Sequence, residues 1–187
     1  MMEYSDTIID KKFAFELANY YKQKVLWSAN NSASASYPYN DNPSYILFGT
    51  KHFLRKNIDV IEYGPDMNWN ITLIDLWNHL KTSFGKHHLF LHTIYANLQF
   101  KGMDGKLHRD DYGKGEGTSF IIMLSPNNDV ENIGGEFYND TLKKNVDFKH
   151  GRVVMLDSTD LHLGKAFNVP HKMRISLRLS GFDTLIW

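Results

Sequence analysis

The sequence predicts a mainly β protein with helices in its N-terminal part. Before about residue 88, apolar residues recur at intervals of three or four, the period of an amphipathic helix. From residue 89 onward, short runs of alternating apolar residues are separated by clusters of Gly, Asn, Asp and Pro. Several short strands with frequent turns favour an antiparallel sandwich or barrel over alternating β and α units.

The length and composition indicate one domain. A chain of 187 residues is close to the size of a single compact domain. Hydrophobic residues make up 42% of it, which is sufficient for one core, and no internal repeat is evident. We therefore expect a single domain over 1–187, in which the helices and loops of 1–88 support a β-rich core formed by 89–187.

Two helices are expected in the N-terminal part. The first lies in KKFAFELANYYKQKVLW, with Asp10 as a candidate N-cap. The second covers 72–84, where Thr72 and Asp75 resemble a capping box and Gly85 supplies a stop. The apolar positions at helical spacing are Phe13, Leu17, Tyr20, Tyr21 and Val25 in the first helix and Leu73, Leu76, Trp77 and Leu80 in the second.

The segment 28–45 separates these helices and is rich in Ser, Asn, Ala and Tyr. Its composition predicts an irregular surface loop. Loops of this length are otherwise often lids or binding loops, in which case Tyr37, Tyr39 and Tyr45 could pack on a substrate. The sequence leaves both interpretations open.

Five strands are expected in the C-terminal part. Each is a short apolar or alternating run, and turn-forming stretches such as SPNND, ENIGG and NVPH separate the runs. The resulting order is helices first and strands afterwards. The expected strands lie at about 90–100, 118–124, 135–139, 152–157 and 173–179.

Charge and cysteine content argue against several classes of function. The 21 Lys and Arg residues balance the 21 Asp and Glu residues. Nucleic acid is therefore not favoured as a partner, because proteins that bind it usually carry a basic excess. The absence of cysteine excludes disulfides, thiolate zinc sites and a cysteine nucleophile. No signal peptide and no membrane span is evident, so we expect a soluble, cytoplasmic protein.

The segment KLHRDDY, between two expected strands, carries His108 and Asp110. If the segment is extended, these two side chains point to the same side, because side chains alternate with period two. Arg109 and Asp111 then point to the other side. The segment could be a solvated loop, since such triplets are common, or it could hold a metal together with a third ligand from elsewhere.

His162 is the candidate for that third ligand. It follows the apolar run VVML and the turn-like DSTD, whereas the three histidines of GKHHLFLH lie where surface or core-edge positions are expected. Two histidines and one carboxylate that leave open positions suit a non-haem Fe(II) oxygenase. His108, Asp110 and His162 therefore form a candidate iron site.

Five short motifs follow one another between about residues 90 and 182. They are HRD from His108, GGEFY from Gly134, GRVVMLD from Gly151, His162 itself, and RIS from Arg174. In this order and spacing they resemble the Fe(II)/2-oxoglutarate-dependent oxygenases. More narrowly, they are similar to small prolyl-4-hydroxylase-like members, including bacterial and bacteriophage ones. The resemblance covers half of the chain.

This resemblance implies a double-stranded β-helix, a jelly-roll or cupin-like core whose open end holds the metal. It implies that His108, Asp110 and His162 are the iron ligands and catalytic residues. It also implies that Arg174 pairs with the far carboxylate of 2-oxoglutarate, a group that the two-pronged guanidinium fits. Ser176, on the same face of the strand, could add a hydroxyl donor.

Other polar residues are candidates for the same co-substrate. Lys172 and Arg178 share the strand parity of the expected arginine and are alternatives to it. Upstream, Asn97 matches a family asparagine, and Gln99 stands where the family has a tyrosine; both family residues contact 2-oxoglutarate. Gln99 could donate a hydrogen bond from its amide, or Tyr95 could replace it.

The implied activity is that of a dioxygenase that uses Fe(II), 2-oxoglutarate and O2, with ascorbate as a further candidate cofactor. The expected substrate is a peptidyl proline in a peptide or protein. A small molecule is the other expected class of partner. The alternatives are a nucleic-acid demethylase or base hydroxylase of the same superfamily and a non-catalytic jelly-roll binding module. We expect the host cytoplasm if a phage encodes the protein. The sequence does not predict an oligomeric state.

Overall fold

The computed structural model describes residues 1–32, 46–111 and 116–183. In these ranges the chain forms two α-helices, α1 (Lys11–Gln23) and α2 (Met67–Ser83). It also forms eleven β-strands: β1 (Met2–Ser5), β2 (Ser28–Ser32), β3 (Ile46–Arg55), β4 (Ile61–Tyr63), β5 (Phe90–Gln99), β6 (Gly117–Leu124), β7 (Phe137–Asn139), β8 (Lys144–Val146), β9 (Val153–Asp157), β10 (His162–Gly164) and β11 (Arg174–Phe182).

The strands form two antiparallel sheets. The large sheet has the order β1-β9-β6-β11-β5-β3-β2, and β4 also pairs with β3. The small sheet has the order β10-β7-β8. Consecutive strands along the chain are seldom neighbours in the large sheet, so its hydrogen bonds join distant parts of the sequence. The mainly β prediction with two helices is confirmed.

Alternate residues of the central strands face opposite sides of the large sheet, as the period of a strand requires. On one side, residues such as Ile94 and Phe120 pack in a core with both helices. On the other side, Ile121 and Val154 pack in a second core with Phe137 of the small sheet. The space between the two sheets is therefore lined by the side chains of one parity only.

Helix α1 begins as predicted. The carboxylate of Asp10 accepts hydrogen bonds from the backbone N–H groups of Lys12 and Phe13, at 2.9 and 3.2 Å, which satisfies donors that have no partner inside the helix. The face that α1 buries carries Ala14, Leu17, Ala18 and Tyr21.

Helix α2 begins five residues earlier than predicted. Its N-cap is Asp66, whose carboxylate accepts from Trp69 N at 3.1 Å, so the proposed cap at Thr72 was wrong. In the first turn the apolar residues Met67 and Trp69 alternate with Asn68 and Asn70, and the helical period of apolar residues becomes clear only from Leu73. The end was predicted well: Phe84 is the C-cap and Gly85 has a φ of +66°, the left-handed conformation that commonly ends helices.

The N-terminal part contributes more than helices and loops. Four of its segments, β1 to β4, are strands of the large sheet, and the description of 1–88 as helices and loops was incomplete in this respect. The segment 28–45 begins with β2 rather than with irregular structure. The rest of that segment, with the three tyrosines considered above, lies outside the described residues.

All five strands expected in the C-terminal part are present, as β5, β6, β7, β9 and β11. The short strands β8 and β10 were not expected, because three residues are too few to show an alternating pattern. Neither helix in the described part of the chain is long and apolar enough to cross a membrane.

Candidate metal centre

Two histidines are brought together by a short antiparallel bridge between the loop after β5 and the start of β10. The backbone N–H of His108 donates to the carbonyl of His162 at 3.0 Å, and the reverse bond has the same length. The ring centroids lie 4.4 Å apart. The bridge therefore places both imidazoles side by side, although 54 residues separate them in the sequence.

The two rings are held in the same tautomer. Nδ1 of His108 lies 2.8 Å from the carbonyl of Lys106, and Nδ1 of His162 lies 2.8 Å from the carbonyl of Asp160. Because a carbonyl can only accept, each Nδ1 carries the proton and donates it. Each Nε2 is left with a free lone pair, as a metal ligand requires.

Asp110 completes the group. Its side chain is fully buried, and its backbone N–H donates to Ser158 O at 2.8 Å. Oδ1 accepts a hydrogen bond from Nη1 of Arg178, whereas Oδ2 has no hydrogen-bond partner among the described residues. Oδ2 lies 3.5 Å from Nε2 of His162, and Oδ1 lies 3.7 Å from Nε2 of His108.

The three side chains fit a metal ion. Their ligand atoms all lie within 4.8 Å of one another, which is close enough for His108, Asp110 and His162 to hold one metal ion. A buried carboxylate oxygen without a hydrogen-bond partner costs free energy unless a cation compensates it. Two imidazoles and one carboxylate are the donor set of non-haem Fe(II) sites.

The environment favours the metal-binding protonation states. Burial lowers the pKa of His108 to about 4, helped by the neighbouring His162. Burial alone would raise the pKa of Asp110, but the charge of Arg178 holds it well below its usual range. Near neutral pH, His108 is therefore neutral and Asp110 ionised, which are the forms that bind metals.

Arg174 is a buried cation on β11, in the same space between the sheets. Its Nε donates to Gly135 O at 2.9 Å, and its Nη1 donates to Gln99 Oε1 at 2.6 Å and to Ser176 Oγ. Nη2 has no hydrogen-bond partner among the described residues. Burial lowers the pKa of Arg174 to about 10, so it remains charged near neutral pH.

Gly164 lies close against the guanidinium of Arg174, where a larger residue would not fit. A Cβ atom on Gly164 would lie 2.9 Å from Nη2 and 3.0 Å from Nη1. Gly135 adopts a φ of +84°, which lets its carbonyl reach Nε. Every group that accepts a hydrogen bond from Arg174 in the described structure is neutral. The carboxylates of Glu136 and Asp104 raise its pKa through their charge but accept no hydrogen bond from it there.

The other residues predicted for the co-substrate line one cavity with both histidines: Asn97, Gln99 and Ser176. Ser176 is paired with Asn97, and Arg174 with Gln99, across β11 and β5. The structure thus brings all the predicted site residues together. Lys172, by contrast, donates to Asn128 O at 2.7 Å on an exposed part of the surface.

Arg178 is the residue whose position the sequence analysis did not anticipate. The sequence left it as an alternative to Arg174 for the co-substrate, but it lines the cavity and its guanidinium contacts Asp110. Its strand parity, shared with Arg174 and Ser176, was the available signal that it faces the site.

Comparisons with known proteins show which proteins share this fold. No protein-family model matches the chain, and a search of curated protein sequences found no match. Among solved structures, a 2OG-Fe(II) oxygenase family oxidoreductase from Burkholderia pseudomallei superposes with a TM-score of 0.72 at 13% identity, covering 98% of this chain and 85% of that one.

Two prolyl hydroxylases are similar as well. The viral collagen prolyl hydroxylase of Paramecium bursaria Chlorella virus-1, in complex with 2OG, has a TM-score of 0.61 at 14% identity and covers 96% of this chain and 94% of its own. A Trichoplax adhaerens prolyl hydroxylase, in complex with a hypoxia inducible factor peptide, has a TM-score of 0.63 at 12% identity, with coverages of 97% and 83%. The chain therefore has the fold of 2OG-Fe(II) oxygenases and prolyl hydroxylases, as the resemblance implied.

Proposed function

We propose that this protein is an Fe(II)- and 2-oxoglutarate-dependent oxygenase that hydroxylates an unactivated C–H bond. One observation carries the proposal: a two-histidine, one-carboxylate group lies in the same space between the sheets as a buried arginine whose hydrogen-bond acceptors are all neutral and whose Nη2 has no hydrogen-bond partner among the described residues. A metal alone explains the first feature but not the second. A co-substrate with a metal-binding end and a distant carboxylate explains both.

His108, Asp110 and His162 would hold Fe(II) through two Nε2 atoms and Oδ2. The Nδ1 hydrogen bonds keep both rings in the required orientation, and Arg178 binds Oδ1 of Asp110 and leaves Oδ2 beside Nε2 of His162. Protein ligands then occupy one side of the ion and leave its other positions open.

Arg174 and Ser176 would bind the far carboxylate of 2-oxoglutarate. Nη2 of Arg174 is the available donor. Ser176 Oγ accepts from Arg174, so its own hydrogen can be donated to a ligand. Charge-assisted hydrogen bonds of this kind are about twice as strong as neutral ones, and they would orient the keto-acid end towards the histidines.

When bound together, Fe(II) and 2-oxoglutarate supply the activation of O2 and the oxidising power for the hydroxylation. The overall reaction converts 2-oxoglutarate, O2 and a C–H bond into succinate, CO2 and a C–OH group. Two electrons come from the co-substrate, two come from the substrate carbon, and O2 accepts four. Leu47, Ile121 and Phe137 give the cavity apolar walls, which restrict the access of water to the reacting groups.

A peptidyl proline is the substrate that we propose first, in a peptide or protein partner. The similarity to two prolyl hydroxylases, one of them in complex with a peptide, supports this choice. Small molecules remain the second class to be tried. The balanced charge of the chain does not favour a nucleic-acid substrate.

The test is the formation of succinate and of a hydroxylated product. Purified protein is incubated with Fe(II), 2-oxoglutarate, ascorbate and O2, with and without a panel of proline-containing peptides, and both products are measured by mass spectrometry. We expect succinate from the wild type and none above background from His108→Ala. A peptide substrate should increase succinate and gain 16 Da, the mass of the one oxygen atom that hydroxylation adds.

His88→Ala is the matched control, because His88 is an exposed histidine paired with Asp183. It should retain wild-type turnover. If the wild type forms no succinate and does not bind 2-oxoglutarate in the presence of metal, the proposed enzyme is excluded and the barrel is better treated as a binding module.

A further inference from the structure

Gln99 occupies the position at which a direct contact with the co-substrate was expected. We infer that Gln99 instead acts through Arg174, an inference that rests on the proposed function. Gln99 is a positioning residue, which holds the guanidinium so that one N–H group faces the co-substrate. The inference concerns how strongly this protein binds the far carboxylate of 2-oxoglutarate.

The amide of Gln99 is completely used by the protein. Nε2 donates to Met103 O at 2.8 Å and to Gly164 O at 2.9 Å, which accounts for both of its hydrogens. Oε1 accepts from Nη1 of Arg174 at 2.6 Å. The side chain is 1% exposed. With no N–H left to donate, Gln99 cannot hydrogen-bond a carboxylate without breaking one of these contacts.

These contacts fix the orientation of the Arg174 guanidinium. The guanidinium is planar, so fixing Nε against Gly135 O and Nη1 against Gln99 also fixes the direction of Nη2. Nη2 is the nitrogen without a partner in the described structure. If Gln99 did not accept from Nη1, only Gly135 O and Ser176 Oγ among the described residues would hold the guanidinium, so the direction of Nη2 would be less restricted.

Gln99 also couples the co-substrate arginine to the metal ligands. Gly164, which accepts from the Gln99 amide, lies on β10 two residues after the metal ligand His162. Gln99 itself ends β5 and pairs with Arg174 on β11. One buried amide thus joins three strands and holds the arginine at a set position relative to the metal site, which suits a co-substrate bound at both ends.

The test separates the two ends of the co-substrate. Mn(II)-loaded protein is titrated calorimetrically with 2-oxoglutarate and with 2-oxopentanoate, which has the same carbon chain without the far carboxylate. In Gln99→Met, which removes the polar atoms at similar volume, we expect binding of 2-oxoglutarate to weaken about tenfold to a hundredfold, as for lost hydrogen bonds to a charged group. Binding of 2-oxopentanoate should change by less than about twofold.

A second comparison tests whether Gln99 acts through Arg174. In an Arg174→Met background, Gln99→Met should not weaken 2-oxoglutarate binding further by more than about twofold, because the group that it positions is gone. A general disturbance of the site would weaken both ligands, and would do so in both backgrounds. Either of those results would overturn the inference.

If Gln99→Met does not fold, Gln99→Leu provides the same test. It also removes the acceptor for Nη1 of Arg174, so 2-oxoglutarate should bind more weakly while 2-oxopentanoate is unaffected. An unchanged affinity for 2-oxoglutarate in either variant overturns the role of Gln99 alone. Failure of the wild type to bind 2-oxoglutarate overturns the proposed function as well.

Discussion

Two arginines on one face of β11 differ in how the protein balances their charge. Arg178 contacts the buried carboxylate of Asp110, so its charge is matched within the chain. Arg174, four residues earlier and more deeply buried, donates to the neutral groups Gly135 O, Gln99 and Ser176. A hydrogen-bonded ion pair indicates a structural role, whereas a buried cation that hydrogen-bonds only neutral acceptors leaves room for a ligand carboxylate as its hydrogen-bonded anion.

The largest effect is expected from Arg178→Met. It leaves the carboxylate of Asp110 buried without its partner, and breaking a buried ion pair from one side costs about 3–5 kcal/mol. The loss should appear in the free energy of unfolding of metal-free protein, measured by urea denaturation. The double variant Arg178→Met/Asp110→Asn should lose less, because the unpaired charge is gone. A loss below about 1 kcal/mol for the single variant would mean that the pair is weak.

Arg174→Met should show the opposite balance of effects. Without ligand, the lost hydrogen bonds are partly offset by removal of a buried charge, so its free energy of unfolding should fall less than that of Arg178→Met. Its binding of 2-oxoglutarate should weaken by about 2–5 kcal/mol, the range for removing one side of a buried charged pair. Calorimetric titration in the presence of Mn(II) measures this. Equal affinities of the wild type and Arg174→Met for 2-oxoglutarate would contradict the assignment of Arg174.

A bound metal would be a second cation beside Asp110, in addition to Arg178. At a metal concentration one hundred times its dissociation constant, the free energy of unfolding should rise by about 2.7 kcal/mol. At the same metal concentration, the free energy of unfolding should rise more in Arg178→Met than in the wild type, because the metal then replaces the lost arginine as the cation beside the carboxylate. Thermal melts with Mn(II) and with EDTA provide the measurement. His108→Ala should lose most of the shift, and a wild type that shows no shift would count against the metal site.

A third arginine supplies the smallest effect. Arg152 Nε and Nη2 donate to the two carboxylate oxygens of Asp6 at 2.6 and 2.9 Å, and hydrogen bonds from Arg152, with help from Lys149, lower the pKa of Asp6 from 3.8 to about 2. A depressed pKa stabilises the protein above pH 4, and this stability is lost as the pH falls towards about 2.

Because this pair lies near the surface, Asp6→Asn should cost only about 1 kcal/mol at neutral pH. Unfolding by urea at pH 7 and at pH 3 should show that the variant loses less stability on acidification than the wild type. If acidification destabilises both proteins equally, Asp6 does not contribute to the acid sensitivity, and about 1 kcal/mol is too high a contribution for its ion pair.

The parts of the site that the sequence predicted are those that local spacing encodes. His108 and Asp110 are two residues apart, and Arg174 and Ser176 share a strand face, so the period of extended chain places each pair correctly. The contact between Arg178 and Asp110 spans 68 residues, and no local pattern reports it.

In the fold, too, the elements with a clear local pattern were predicted and the others were not. The strands from residue 89 onward carry strong apolar runs and were predicted, whereas β1 to β4 were not. Met2–Ser5 is a strand because it pairs with β9, at a distance of some 150 residues along the chain that only the folded protein closes. Helix α1 was predicted with its cap, while the start of α2 was missed because apolar residues and asparagines alternate in its first turn.

The central claim is that 2-oxoglutarate supplies the anion for Arg174 while its keto-acid end lies at the metal. A crystal structure of the protein with Mn(II) and 2-oxoglutarate tests it most directly. The account predicts Mn(II) bound by His108, Asp110 and His162, with the far carboxylate at hydrogen-bonding distance from Nη2 of Arg174. A carboxylate bound at Arg178 instead, or a metal site that forms without binding 2-oxoglutarate, would contradict it.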